Sequence, residues 1–147
     1  MGMWTELYLA IELKEDTPAK VVNTIQKLLS PSSGFKGGSE SYSWPDHDFF
    51  KTDRFWKCLD DDCYYFPSRT MHCFEHDDIS DSWYLTLITK VKNYGNEFQK
   101  FIDWLQPYID NEGHIGHYRY ENQEMPTMLF VKDGRVNWLP VKAEALS

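Results

Sequence analysis

The 147-residue chain has little of what usually advertises a function. Cysteine is scarce: Cys58, Cys63 and Cys73 are too few, and odd in number, for a disulfide scaffold. No run approaches the ~18 consecutive apolar residues that a membrane span requires. The chain starts directly with Trp4-Thr5-Glu6-Leu7, without a basic segment leading into an apolar one, so no secretory leader is expected. Reduced thiols in a cytoplasmic protein follow as the expectation. Gly-x-Ser-x-Gly, Gly-x-x-x-x-Gly-Lys and His-Glu-x-x-His are all missing, which removes the nucleophile elbow, the phosphate loop and the zincin helix.

Positive charge is also in deficit. There are 15 Lys and Arg against 23 Asp and Glu, a formal charge of −8. Such a balance repels phosphate backbones and anionic lipid, so neither direct nucleic-acid binding nor membrane binding is expected. The imbalance is local. Residues 46–81 hold ten acids and four bases, whereas 1–45 and 82–147 are each within one charge of neutral.

Aromatics are what the chain has in abundance, with 6 Trp, 9 Tyr and 9 Phe making 16% of it. Rings bring large buried areas, and a chain of this length buries roughly 70% of its extended surface without cross-links. One domain over 1–147 is expected.

The element pattern begins with alternation from Trp4 to Leu13, which puts Leu7, Leu9, Ile11 and Leu13 on one side of a strand. Apolar groups on both sides suit a central position. Thr17 is placed to cap a helix with Pro18 at its first position, and Val21, Val22, Ile25, Leu28 and Leu29 form its stripe before Ser30-Pro31 ends it. Residues 31–69 read as a loop-rich insertion, with two short strands expected at 55–59 and 63–66. Strands over 70–77 and 83–92 follow, then a helix capped by Asn93 that buries Phe98, Phe101, Ile102, Leu105 and Ile109. Pro107 sits near its end. A strand over 114–121 precedes a hairpin, 127–131 and 136–139, turning at Asp133-Gly134. This order predicts an α+β domain of ferredoxin-like (split βαβ) arrangement. Its antiparallel sheet carries two helices on one face, an aromatic and acidic insertion after the first helix, and a C-terminal β-hairpin.

Three groupings could carry chemistry. Cys58, Cys63, Cys73 and His76 (with His72 spare) supply zinc-type ligands, but without the two-residue gap of a tight knuckle. On a strand Cys73 and His76 also face opposite sides, so buried cysteines behaving as small apolar groups are the commoner outcome and no cofactor is expected. Asp60, Asp61 and Asp62 could offer oxygens to calcium, but Asp also simply favours turns, and no calcium-loop pattern surrounds them. On a helix-free sheet face His117 and Arg119 could join Tyr84 and Thr86 to hold a small anion or move a proton. Ordinary cross-strand pairing would use the same residues without a site.

The charge of 46–81 coincides with Tyr42, Trp44, Phe49, Phe50, Phe55, Trp56, Tyr64, Tyr65 and Phe66. Aromatic anchors beside carboxylates suit docking on a basic protein surface, where rings supply burial and acids supply steering. The expected function is therefore a non-enzymatic protein-binding module, of inhibitor or immunity type, using Trp44, Asp60, Asp61 and Asp62. The alternative is a small-ligand or enzymatic domain with Tyr84, His117 and Arg119 as its site. A homodimer through a sheet edge is compatible with either.

Overall fold

The computed structural model describes residues 4–29, 42–59, 62–63 and 65–141. Within them lie six strands in one antiparallel sheet and two α-helices. The strands are β1 (Trp4–Glu12), β2 (Met71–Asp77), β3 (Ser82–Lys92), β4 (Gly113–Tyr120), β5 (Thr127–Lys132) and β6 (Arg135–Pro140). The helices are α1 (Ala19–Leu28), between β1 and β2, and α2 (Glu97–Leu105), between β3 and β4. Across the sheet the order is β2-β3-β1-β4-β5-β6, so β1 is central and β2 and β6 are the edges.

The alternation of β1 sorts the two faces. Leu7, Leu9 and Ile11 are buried, and the register aligns them with Thr89, Leu87 and Leu85 of β3. Those residues, with Leu129 and Val131 of β5, meet Val21, Val22, Ile25 and Leu28 of α1 and Phe98, Phe101, Ile102 and Leu105 of α2 in one core. The even-numbered residues of β1 turn to the opposite face, which carries no helix among the described residues. Gly116 lets β4 approach β1 closely: a Cβ there would lie 2.0 Å from the Tyr8 carbonyl oxygen.

The helix ends differ in detail from the sequence expectation. Helix α1 starts one residue later, with Pro18 preceding it, and the Thr17 hydroxyl donates to the Lys14 carbonyl instead of capping. Asn93 does serve α2, since its Oδ1 accepts from the Phe98 N–H at 2.9 Å although the helix begins at Glu97. The Asp133-Gly134 turn has the positive φ angles, 53° and 74°, of a two-residue hairpin. That turn leaves the N–H positions of Val136, Trp138 and Pro140 facing away from β5. Gln106 Oε1 accepts the first at 2.8 Å, and proline has none, so the β6 edge offers little to an added strand.

The middle segment departs furthest. No strand forms at 55–59; single 3-10 turns occupy Asp48–Lys51 and Phe55–Lys57, and the described residues of 63–66 form no strand. The rings expected to face outward point inward. Phe49 is fully buried against Phe101 and Trp104, and Phe55, Phe50 and Trp44 pack edge and face around it. Trp44 is half-buried in this cluster and Phe66 is buried, whereas Tyr65 is exposed. The run lacks strand alternation because its rings converge on α2 from a coiled path, a geometry with no fixed period. Tyr64, Asp60, Asp61 and the helix end at Ser30-Pro31 lie outside the described residues.

If Phe49 is a core residue, Phe49→Ala should cost about 3–5 kcal/mol of unfolding free energy. A urea titration followed by tryptophan fluorescence measures this. A change under about 0.5 kcal/mol, the size of an ordinary surface substitution, would return the ring to the surface.

Candidate functional site

The helix-free face holds the residues on which a site could be built, and the strand register places them in two separate groups. At the end where β1 begins, Glu6 lies between Lys90 of β3 and Arg119 of β4. One residue pair further in, Tyr8 stacks on His117, ring centres 5.4 Å apart. The chain leaves the helix side at Cys58, whose carbonyl accepts from Thr89 Oγ1. It reaches this opposite face by Phe66, over which the Arg119 guanidinium lies 5.0 Å from the ring centre.

Buried charge holds that crossing in place. The Lys90 side chain is fully buried, yet its Nζ is 2.6 Å from Asp62 Oδ1 and donates at 2.6 Å to the Ser68 carbonyl. Ser68 Oγ donates in turn to Glu6 Oε2. His117 and Arg119 approach the other Glu6 oxygen at 3.8 and 3.9 Å, beyond hydrogen-bond length but close enough for electrostatic attraction. His117 is the largest influence holding the Glu6 carboxyl below its ordinary value. Burial opposes it, and Ser68 and Arg119 add to it. Lys90 does the same for Asp62. His117 and Arg119 therefore already face a resident carboxylate, which leaves them poorly disposed to bind a free anion.

Tyr84 is not part of this group. It pairs with Glu12, four residues along β1 from Tyr8, or roughly 13 Å at strand spacing. Tyr84, His117 and Arg119 thus do not converge, and the site expected from them is corrected on that ground. What Tyr84 does have is a carboxylate on each side. It is 37% exposed, with Glu12 on β1 and Glu75 on β2 directly opposite it in the two ladders.

This second group borders an acidic end of the sheet. Glu12, Glu15, Asp16 and Asp110 line a shallow polar hollow of about 410 Å³ with Lys14 and Ser80. The β2–β3 turn adds Asp77, Asp78 and Asp81, with Ile79 projecting at 97% exposure. His76 braces the turn: Nε2 is 3.0 Å from Asp81 and Nδ1 is 3.0 Å from Asp78. Asp81, then Asp78, raise the His76 pKa above its ordinary value, because both ring nitrogens serve as donors only in the imidazolium. Lys132 and Arg135 stand at the same end but beyond β4, on the β5–β6 turn.

The zinc-type spacing does not assemble. Cys58 is buried in the helix-side core, Cys63 is half-buried, and Cys73 is exposed on the face opposite His76. Among the described residues, no three His, Cys, Asp or Glu groups gather as metal ligands. Desolvation, then the Glu75 carboxylate, push the Cys73 thiol above its ordinary value, which disfavours it as a nucleophile. Sequence reasoning missed the Glu6–Lys90 group. Alternation around Glu6 and Lys90 was visible, but nothing local announced that Asp62 and Ser68 would partner them.

No family model, curated protein sequence or solved structure matches the chain. Among the described residues, no helix is long and apolar enough to cross a membrane.

Two outcomes follow for the buried charges. Asp62→Ala strands an ammonium in the interior and should cost about 3 kcal/mol, whereas Lys90→Met keeps the stem packed and frees a carboxylate that is already 47% exposed, costing less. Denaturant midpoints of the two variants check the order. Glu6 has a depressed folded pKa, so its contribution is complete above its unfolded value of about 4.5 and is lost as pH falls through the lower folded value. Unfolding free energy measured down to about pH 3 should therefore fall less steeply in Glu6→Gln than in the parent protein.

Proposed function

We propose that this chain is a non-enzymatic protein-binding module that receives a basic partner at the acidic end of its open sheet face. The observation that carries the reading is the exposed Tyr84 ring set between Glu12 and Glu75. A ring face attracts a cation, and a carboxylate on either side adds directional hydrogen bonds to a lysine or arginine laid across it. The surrounding Glu15, Asp16, Asp77, Asp78 and Asp81 supply the longer-range field that speeds the approach of a basic surface. Ile79 provides an apolar contact at the rim. Of the acids expected at the interface, Asp62 is held by Lys90 and Asp60 and Asp61 lie outside the described residues, so this reading rests on other carboxylates and on Tyr84 in place of Trp44.

The fold belongs to the same proposal. Strand, helix, strand, strand, helix, strand, with β2-β3-β1-β4 adjacency, supports a ferredoxin-like domain extended by the β5–β6 hairpin. Three cysteines in 147 residues, too few and odd in number for a disulfide scaffold, support a reducing, cytoplasmic setting. A ligand or enzymatic site on Tyr84, His117 and Arg119 is the weaker reading, since the first lies apart and the other two face Glu6.

An arginine-rich peptide carrying a fluorophore is the probe, followed by anisotropy. Tyr84→Ala, and Glu12→Gln with Glu75→Gln, should each weaken binding about tenfold, or about 1.4 kcal/mol. Asp46→Asn with Asp53→Asn removes the same charge elsewhere and should change binding far less. Equal losses in both charge variants would mean a diffuse field and no site, which defeats the proposal.

A further inference from the structure

At the opposite end of the sheet from the acids, a hollow of about 420 Å³ opens to solvent on the helix side. It lies where β1 begins, β3 runs into α2, and β4 turns towards β5. Its lining has an unusual property for a chain of charge −8: none of the lining side chains is charged. Three tyrosines, Tyr94, Tyr118 and Tyr120, provide ring surface. Four carboxamides, from Asn93, Asn96, Gln99 and Gln123, provide both donors and acceptors, and Thr5 completes the wall.

Several of these groups are held in place before any ligand arrives. Asn93 Nδ2 donates to Gln99 Oε1 at 2.7 Å, and Gln99 Nε2 donates to the Tyr118 hydroxyl at 3.3 Å. Asn93 Oδ1 is itself fixed by the Phe98 N–H, and Gln123 Oε1 by the Tyr120 N–H at 2.8 Å. Asn96 is different. It stands in the left-handed region at φ 55° ahead of α2, yet its side chain does not cap that helix. Tyr94 beside it is 58% exposed, and Arg54, which does not line the hollow, lies 5.4 Å from the ring centre.

We infer that this hollow is a binding site for a neutral saccharide. No lining side chain offers a counter-charge to phosphates, carboxylates or ammonium ligands, which would lose hydration there, and Arg54 is already engaged with the Tyr94 ring. Carboxamides and phenols match hydroxyls in kind, because each both gives and accepts hydrogen bonds, and a sugar ring presents such groups around its rim. Tyrosine faces accept the C–H side of the same ring through weak C–H contacts and apolar burial. The size and the open mouth suit the end of a short sugar chain more than an enclosed metabolite. This site shares no residue with the Tyr84 surface, so the two proposals stand or fall separately.

Side-chain carboxamide signals in ¹H–¹⁵N spectra report directly on the lining. Maltose, cellobiose and diacetylchitobiose are the probes, with glucuronate as a charged control. At least one disaccharide should shift the Asn96 and Gln99 signals saturably at about 10 mM, a weak affinity proper to an open site. Tyr94→Ala, at an exposed position, should retain the fold by circular dichroism and weaken that binding at least about fivefold. Gln99→Ala should weaken it as well, and glucuronate should bind more weakly than the neutral sugars. No saturable shift with any disaccharide, or shifts untouched by Tyr94→Ala in a folded protein, would overturn the assignment. Adenosine shifting the same signals where the sugars do not would overturn it too, by moving the site to another ligand class.

Discussion

Strand β1 is hydrogen-bonded on both sides, and its alternation has to be kept in one register. A slip of one residue would carry Leu7, Leu9 and Ile11 into water and drive Glu6 and Glu12 into the helix layer. Everything placed beside β1 inherits that constraint. Helices α1 and α2 can cover only the side that the leucines define, and the other side is left to whatever the connecting segments bring. Gly116 strengthens the arrangement because no other residue fits so close to the Tyr8 carbonyl.

The cost of the arrangement falls on Glu6 and Lys90, the pair that register sets side by side on the outer face. Left in water they would be ordinary surface charges worth little. Asp62 and Ser68 instead lie against them and partner each charge: Asp62 and the Ser68 carbonyl for Lys90, the Ser68 hydroxyl for Glu6. Such pairs rarely add net stability, but they penalise any other placement of Asp62 and Ser68, since displacing them leaves a buried ammonium behind. Their role is thus to specify the route by which the chain passes from the aromatic cluster to β2.

Residues whose partners lie nearby, or whose period is regular, disclosed themselves in the sequence. Leu7 to Leu13, Val21 to Leu28, Trp83 to Val91 and the Asp133-Gly134 turn all belong to that class, and the structure places them as their pattern implied. The aromatic run did not, because Phe49 and Phe50 take their positions from α2, some fifty positions away in the sequence, and Phe55 and Trp44 pack on those two. An aromatic-rich acidic run has the same composition whether its rings face a partner or its own core. His117 and Arg119 were legible as neighbours on a bare face, but their carboxylate partner was not, since naming Glu6 requires the β1–β4 register. Tyr84 was singled out for the right exposure and the wrong company.

The two ends of the sheet finally differ in kind, and the difference follows from which loops each end collects. Antiparallel strands send β1 out, and bring the β2–β3 turn and the start of β4 together, at one end. There Glu12, Asp16, Asp77, Asp78, Asp81 and Asp110 accumulate, and His76 bridges Asp78 and Asp81 within the turn. The other end gathers the start of β1, the β3–α2 connection and the β4–β5 turn, and it meets there in amides and tyrosines. Under the proposed reading, a field of one sign at the acidic end would steer a cationic surface there and away from the uncharged lining of the other end. Charge segregation along the strand axis would thus let one small sheet offer the two proposed surfaces without either interfering with the other.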